Sequence, residues 1–363
     1  MSRVIVVGGG ITGLVAARDL AKAGVDVTVL ESERRPGGGG VIVTERRDGF
    51  LVEGGPDGFL ASEPDVPALA AELGIADRMV AQLARGSSRW TGKEFEPLEE
   101  GGAAALLGID ARGASLAAGF RSFAGGMQEI VAALAGPPLR LAQGVTGIAR
   151  VSAGWRLTIT GGSAHEAEAV VLALPSYAAG RWLEQIGVPH ARAMADVVYA
   201  PSVTVSLAYR RDQIGQALDG AGFVVGAQHA APLQIRACTY ASSKFPSRAP
   251  DGHVLLRAFL APVDGNPEQL AHEDLAAILG IRGAPLWSRA FHWTRGLPRY
   301  REHHAAHVSL VRERLVRLAP LAICGAGYDG AGVSACVRSG REAARVVLGR
   351  LGGQPTRTGY TRG

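Results

Sequence analysis

Gly8-Gly9-Gly10-Ile11-Thr12-Gly13 is the segment whose residue types and spacing point most directly to chemistry. It has the form G-x-G-x-x-G. It follows the apolar run Arg3-Val4-Ile5-Val6-Val7, opens a helical pattern, and leads to a second apolar strand, residues 25–30, that ends at Glu31. Strand, glycine turn, helix, strand and acid make a dinucleotide-binding unit. Gly8 permits the tight turn, Gly10 lets the backbone approach a pyrophosphate, and Gly13 lets the helix lie close to the sheet. The free N–H groups and the positive dipole end of the helix face the phosphates. Glu31, 18 residues beyond Gly13, can accept hydrogen bonds from ribose hydroxyls. A carboxylate there argues against a 2′-phosphate and hence NADP, leaving FAD or NAD.

A second glycine turn near the far end of the chain separates these two. Leu321-Ala322-Ile323-Cys324 reads as a short strand, residues 325–332 (GAGYDGAG) as the turn, and residues 333–351 as a helix. Another positive helix end suits a flavin, whose N1 and C2 carbonyl gather negative charge on reduction. An NAD enzyme has no such need, so the expected cofactor is FAD. Gly37 to Gly40, directly after the nucleotide unit, form a loop whose backbone can pass close to that cofactor.

The elements that must position these turns are legible in outline. Residues 48–60 (DGFLVEGGPDGFL) read as a strand and a glycine-proline turn. Residues 64–73 read as a helix, and a further helix follows Gly125-Gly126-Met127 to about Leu134. Strand patterns follow at 139–148, 155–160 and 169–174, and further strands at 203–209, 223–225, 233–240 and 254–260 suggest a second, largely antiparallel sheet. Helices are expected over 268–279 and 304–318. The Gly- and Ala-rich stretch from Gly101 to Phe120 suggests a loop with a short helix, and the tail from Gly352 to Gly363 suggests disorder. The pattern is that of an α/β protein.

Composition excludes several classes. In 363 residues the apolar fraction is 47%, ample for a core, yet no run approaches the ~18 apolar residues that would span a bilayer. The N-terminus reads as a strand and lacks the basic start and cleavage site of a signal peptide, so a cytoplasmic location is expected. The net charge of +5 is nearly all arginine and scattered, which argues against nucleic acid. Cys238, Cys324 and Cys336 are odd in number and lack metal-ligand spacing, so buried thiols in a reducing compartment are expected. His303, His304 and His307 do not make a metal site by their spacing, and no metal is expected.

With both glycine turns placed, the chain resembles the FAD-dependent amine-oxidase and protoporphyrinogen-oxidase superfamily, and within it the bacterial porphyrinogen oxidases. The matching segments run in order: VIVVGGGITGLVAARDL, DGFLVEGGPDGFLASEP, FRSFAGGMQEIVAAL, VVLALPSYAA, LDGAGFVV, YASSKFPSRAPDGHVLLRAFL, HWTRGLPRY and GAGYDGAGVSACVRSGREAA. The resemblance covers nearly all of residues 1–350. It implies a Rossmann-like FAD-binding domain of the two-part glutathione-reductase type (1–60, 120–180 and 305–351) and a mixed or antiparallel-sheet substrate domain (61–119 and 181–304).

The resemblance implies cofactor contacts at Gly8, Gly9, Gly10, Ile11, Thr12 and Gly13, with Glu31 and Ser32 at the adenosine ribose and Gly39 in the following loop. It places Gly55, Pro56, Asp57 and Gly58 beside the flavin, Val145 at the adenine through its backbone, Trp293 near the isoalloxazine, and Gly332, Val333 and Ser334 at the pyrimidine end. For the substrate it suggests Arg89 as a carboxylate partner and Phe223 and Val225 as apolar contacts. Lys244 falls in the SSKFP segment rather than at the position of the N5 lysine of amine oxidases. No general base is nominated.

Three departures stand out. The family usually has further residues, often a basic one, between its GG pair and the next Thr; here Gly39-Gly40 continue into Val41-Ile42-Val43-Thr44. The serine common in the GPDS turn is Gly58. A helical lobe that in the family helps cover the tetrapyrrole and contributes membrane contact is replaced by residues 99–119 alone. The implied activity is oxidation of protoporphyrinogen IX or coproporphyrinogen III to the porphyrin in haem biosynthesis, by hydride transfer to flavin N5 with oxygen as acceptor. A flavin oxidase for an amine or another biosynthetic intermediate, and a non-catalytic FAD-binding relative, remain alternatives. The implied partner is a tetrapyrrole-like small molecule, with peripheral membrane contact left open.

Overall fold

The computed structural model describes residues 2–99, 101–102, 118–136, 138–226 and 233–352. Most of the stretch from Gly101 to Phe120, and the tail beyond Gly352, lie outside the described residues.

The first sheet is parallel and has the strand order Leu139–Arg140, Asp26–Leu30, Arg3–Val7, Ala169–Leu172, Leu321–Ile323. Val4, Ile5 and Val6 are fully buried, as a strand covered on both faces requires. On one face pack the helices Ile11–Lys22 and Val333–Leu351, through Leu14, Val15, Leu20, Val337 and Val347. The other face is closed by the three-stranded sheet Val145–Val151, Gly154–Ile159, Ala164–Ala167 and the helices Ser176–Gln185 and His304–Leu315.

The two helices on the first face meet at Gly340. A Cβ there would strike the carbonyl oxygen of Thr12, in the first turn of the first helix. This contact aligns two helices that begin 322 residues apart in the chain, so that the two glycine turns lie side by side. Gly13 serves the same packing, since its Cβ would strike the carbonyl oxygen of Gly8.

The second sheet has seven strands, in the order Trp287–Arg299, Val198–Arg210, His253–Leu260, Ile235–Tyr240, Gly222–Val225, Ser87–Trp90, Phe95–Leu98. All neighbours are antiparallel except Gly222–Val225 with Ser87–Trp90. The helix Pro267–Leu279 covers one face. Asn266 caps it by accepting from the N–H groups of Glu268 and Gln269, and left-handed Gly280 ends it. No described helix is long and apolar enough to cross a membrane.

The structure corrects one sequence reading and adds a strand that the sequence did not suggest. The run 139–148 is not one strand. Its first part joins the parallel sheet, and the chain then turns at Ala142, which has φ 54°, before Val145–Val151 enters another sheet. The N–H groups of Ala142 and Gln143 are taken by the carbonyls of Glu33 and Glu31. The thirteen-residue strand Trp287–Arg299 carries no strand signal, because Gly296 and Pro298 punctuate it. It is an edge strand, where a proline's missing donor is tolerated.

Replacing Gly340 by Ala should destabilise the protein by about 1–3 kcal/mol, the usual cost of overpacking. Helix propensity alone would favour Ala. A lowered urea midpoint is the expected result, and an unchanged or raised midpoint would show that the two helices part freely.

Candidate active site

The two glycine turns end at helix N-caps Gly10 and Gly332, neither of which has a side-chain cap. The first N–H groups of both helices therefore lack intrahelical partners. A Cβ at Gly10 or Gly332 would meet nothing within 4 Å, so both caps face open space. Ser334, in the first turn of the second helix, is fully buried, yet its Oγ has no hydrogen-bond partner. Open caps, two positive helix ends and an orphaned buried hydroxyl fit a group with a pyrophosphate and an electron-rich ring.

The second turn is braced from behind. Arg312 forms an ion pair with Asp329 at 2.7 Å, and Ser339 Oγ accepts from the Gly325 N–H at 2.8 Å while donating to Asp329. At the first turn, Glu31 accepts from the Gly9 N–H at 2.7 Å, from the Glu33 N–H at 2.9 Å and from the Ser32 hydroxyl at 3.1 Å. A carboxylate has about four acceptor positions, so Glu31 keeps capacity for a ligand hydroxyl. The glycine loop folds back here, with the Gly37 N–H bonded to the Gly9 carbonyl and Gly38 lying against the Glu31 carboxylate. Gly39 is open, and Val145 opens the strand that follows the Ala142 turn.

The turn Gly54-Gly55-Pro56-Asp57-Gly58 presses against the same region. A Cβ on Gly55 would strike the Val41 carbonyl, and one on Gly58 the Arg121 carbonyl. The Gly54 carbonyl accepts three donors: Trp293 Nε1 at 3.0 Å, Thr204 Oγ1 at 3.1 Å and Arg257 Nη2 at 3.2 Å. Trp293 is thereby fixed beside the turn, and it stacks nearly parallel on Phe291.

Behind this turn lies a charged cluster that sequence reasoning missed. Lys244 Nζ bonds both oxygens of Asp57, at 2.9 and 3.0 Å, and sits over the rings of Phe120 and Phe245. Burial alone would raise the Asp57 carboxyl, but Lys244, Arg257 and Arg248 together hold it below the usual carboxylate range. Arg248 is buried and donates to Ser122 Oγ and the Phe123 carbonyl. Arg248 Nη1 and Arg257 Nε have no partner. Both residues line a cavity of about 10 Å³ with Glu53, Asp57 and Ser206, room for about one water. The readable signals were an arginine inside the apolar strand His253–Leu260 and a glutamate closing Phe50–Glu53.

The proposed substrate contacts do not gather at this site. Arg89 pairs with Glu96 across the hairpin that edges the second sheet. Phe223 is 2% exposed and packs between Phe95 and Tyr240, and Val225 belongs to the same core. The three cysteines are buried and unpaired by disulfides. Among the described residues no group of His, Cys, Asp and Glu could hold a metal ion.

Glu53 is buried, accepting from the Met127 N–H at 2.8 Å and the Thr44 hydroxyl at 2.7 Å. Burial pushes its carboxyl up to about 7, against the opposing pull of Met127, Thr44 and Arg248. The folded protein thus keeps a proton that the unfolded chain has lost, and stability should fall as pH rises from about 4.5 to 7. Glu53→Gln should remove this fall, checked by urea denaturation at pH 5 and pH 7.5. An unchanged pH slope in the variant would exclude Glu53 as its source.

Comparison with known proteins agrees with this architecture. The model of the flavin containing amine oxidoreductase family matches residues 11–95 and 84–348. The chain is 22% identical to the coproporphyrinogen III oxidase of Bacillus subtilis, covering 95% of this chain and 97% of the relative. It is 26% identical to that of Propionibacterium freudenreichii, covering 95% and 90%. The first alignment spans 466 positions against a chain of 363 residues, so the relative carries segments that this chain lacks. A crystal structure described as a putative protoporphyrinogen oxidase from Exiguobacterium superposes with a TM-score of 0.80 at 23% identity, covering 96% of this chain and 99% of the other. With two open helix caps flanking one site and the family match along nearly the whole sequence, the chain belongs to the flavin containing amine oxidoreductase family and is an FAD-dependent oxidoreductase.

Proposed function

We propose that this protein oxidises a porphyrinogen, protoporphyrinogen IX or coproporphyrinogen III, to the porphyrin. The observation that carries the reading is its similarity, over 95% of its length, to coproporphyrinogen III oxidases. The assembly of both glycine turns and the Gly54–Gly58 turn around one open region supports it. In this reading the FAD-binding part comprises 1–60, 120–180 and 305–351, and the remainder up to residue 304 presents the substrate.

Bound FAD supplies the hydride acceptor. The N–H groups at Ile11, Thr12 and Gly13 hold the pyrophosphate, and Glu31 with Ser32 holds the adenosine ribose. The N-terminus at Gly332, Val333 and Ser334 stabilises negative charge at the pyrimidine edge. Trp293, tied to Gly54, fixes one wall against which a flat ring can lie. The Asp57–Lys244 pair and the two buried arginines keep the Gly54–Gly58 turn rigid and the space behind it closed.

The test is anaerobic mixing of the FAD-loaded protein with coproporphyrinogen III, following the visible flavin band and porphyrin fluorescence together. Bleaching with a fluorescent product is the expected outcome. A flavin that stays oxidised with both coproporphyrinogen III and protoporphyrinogen IX would overturn the reading. Bleaching by amines alone would assign the site to amine oxidation, which the missing segments favour by leaving more open space.

A further inference from the structure

The strand that carries Trp293 leaves its regular pairing at Arg295. The strand runs in register with Val198–Arg210 until Trp293 pairs with Ser202, and pairing resumes at Leu297 with Ala200. Three residues, Thr294, Arg295 and Gly296, thus oppose Pro201 alone. Proline offers no N–H to the ladder, and Gly296 lets the bulge close, since a Cβ there would lie 3.0 Å from the Ala200 carbonyl. Such bulges re-aim a side chain out of strand alternation.

Here the re-aimed side chain lies on an aromatic ring. The Arg295 guanidinium sits 4.1 Å from the centre of the Tyr177 ring. Tyr177 packs edge-on against Tyr199 at 5.1 Å. The Tyr199 hydroxyl accepts from the Ser176 N–H at 3.1 Å, and a Cβ on Gly327 would strike it. This chain of contacts ties Arg295 to the second glycine turn on one side. Trp293 ties it to the Gly54 carbonyl on the other.

The charge of Arg295 is left unmatched. Some exposed arginines, such as Arg89 and Arg289, hold a carboxylate, while others, such as Arg150, Arg236 and Arg301, hold none among the described residues; Arg295 differs from the latter in lying on an aromatic ring. Arg295 has no hydrogen bond or ion pair within the described residues. Stacking on Tyr177 limits its rotamers while leaving its N–H edge free, the arrangement that favours bidentate binding of a carboxylate. Apolar side chains are exposed on the same strand and just beyond it, Leu297 at 45% and Tyr300 at 42%, with Val198 at 48% on the paired strand. A fixed cation beside apolar surface suits a hydrophobic ring system that carries carboxylate side chains.

We propose that Arg295, seated on Tyr177, binds a carboxylate of the substrate and selects for acidic over esterified or uncharged ring compounds. The proposal rests on the functional reading above. Its test is binding of the oxidised product coproporphyrin III and of its tetramethyl ester to the FAD-loaded protein, followed by porphyrin fluorescence, which needs no turnover. The unaltered protein should bind the acid more tightly than the ester. Arg295→Met should weaken the acid about tenfold or more and leave the ester unchanged, while Arg295→Lys restores part of the loss. In turnover, Arg295→Met should raise KM with little change in kcat. Tyr177→Leu should give a smaller loss of the same kind. Equal affinity for acid and ester in the unaltered protein, or equal loss of both in Arg295→Met, would overturn the Arg295 assignment while porphyrin binding and flavin bleaching leave the function standing. Binding of neither compound, with no bleaching, would overturn both.

Discussion

The contact between Gly340 and the Thr12 carbonyl is the constraint on which the site depends. Each helix N-terminus carries about half a positive charge on unsatisfied N–H groups. Two such ends next to each other are unfavourable unless an electron-rich ligand lies between them. The protein holds them there because a single strand, Ala169–Leu172, separates Arg3–Val7 from Leu321–Ile323 in the sheet. The helices that follow these strands therefore pack directly, and small residues at the crossing bring them close. In the proposed reading, cofactor binding in this arrangement would relieve a repulsion that the fold has already built.

Behind the Gly54–Gly58 turn the logic is electrostatic. Two buried guanidiniums and an ammonium share a small volume with Asp57 and Glu53. Among the described residues only Lys244 of the three has a carboxylate in contact; Arg248 and Arg257 are held by neutral oxygens and aromatic faces. Such groups cost much to bury and more to strip of partners. Their effect is to tether the Gly54 carbonyl and the Phe123 carbonyl to one buried cluster, which links two segments far apart in sequence. The raised carboxyl of Glu53 follows from the same confinement, because charging it would add a second desolvated anion to a site with little room for water.

The edge strand shows how a bulge can re-aim a charged side chain. A regular Trp287–Arg299 strand would direct Arg295 by alternation alone. Pro201 interrupts the ladder, Gly296 closes the gap, and the guanidinium lands on an aromatic surface connected to the second glycine turn. Arg89 has the opposite situation, with its charge neutralised by Glu96 across a hairpin. Two arginines of equal chemistry thus differ in availability because of what the tertiary structure puts opposite them.

Much was legible before any coordinates. G-x-G-x-x-G after a strand, an acid at the end of the next strand and a second glycine turn into a helix are local signals, because turn geometry and helix N-termini are set by neighbouring residues. The sequence by itself determined the nucleotide unit, the α/β class, the second sheet in outline and the segments that resemble porphyrinogen oxidases. It did not reveal the strand Trp287–Arg299, whose Gly and Pro are tolerated only at a sheet edge, or the break at Ala142, whose N–H finds its partner at Glu33. Phe223 and Val225 look alike in sequence whether they face a ligand or a core, and packing against Phe95 and Tyr240 decides it. Only the tertiary structure joined Asp57 to Lys244, 187 residues apart, paired Arg89 and left Arg295 unpaired. Local propensity acts over a few residues, whereas the partner of a charge is whatever the folded chain brings to it.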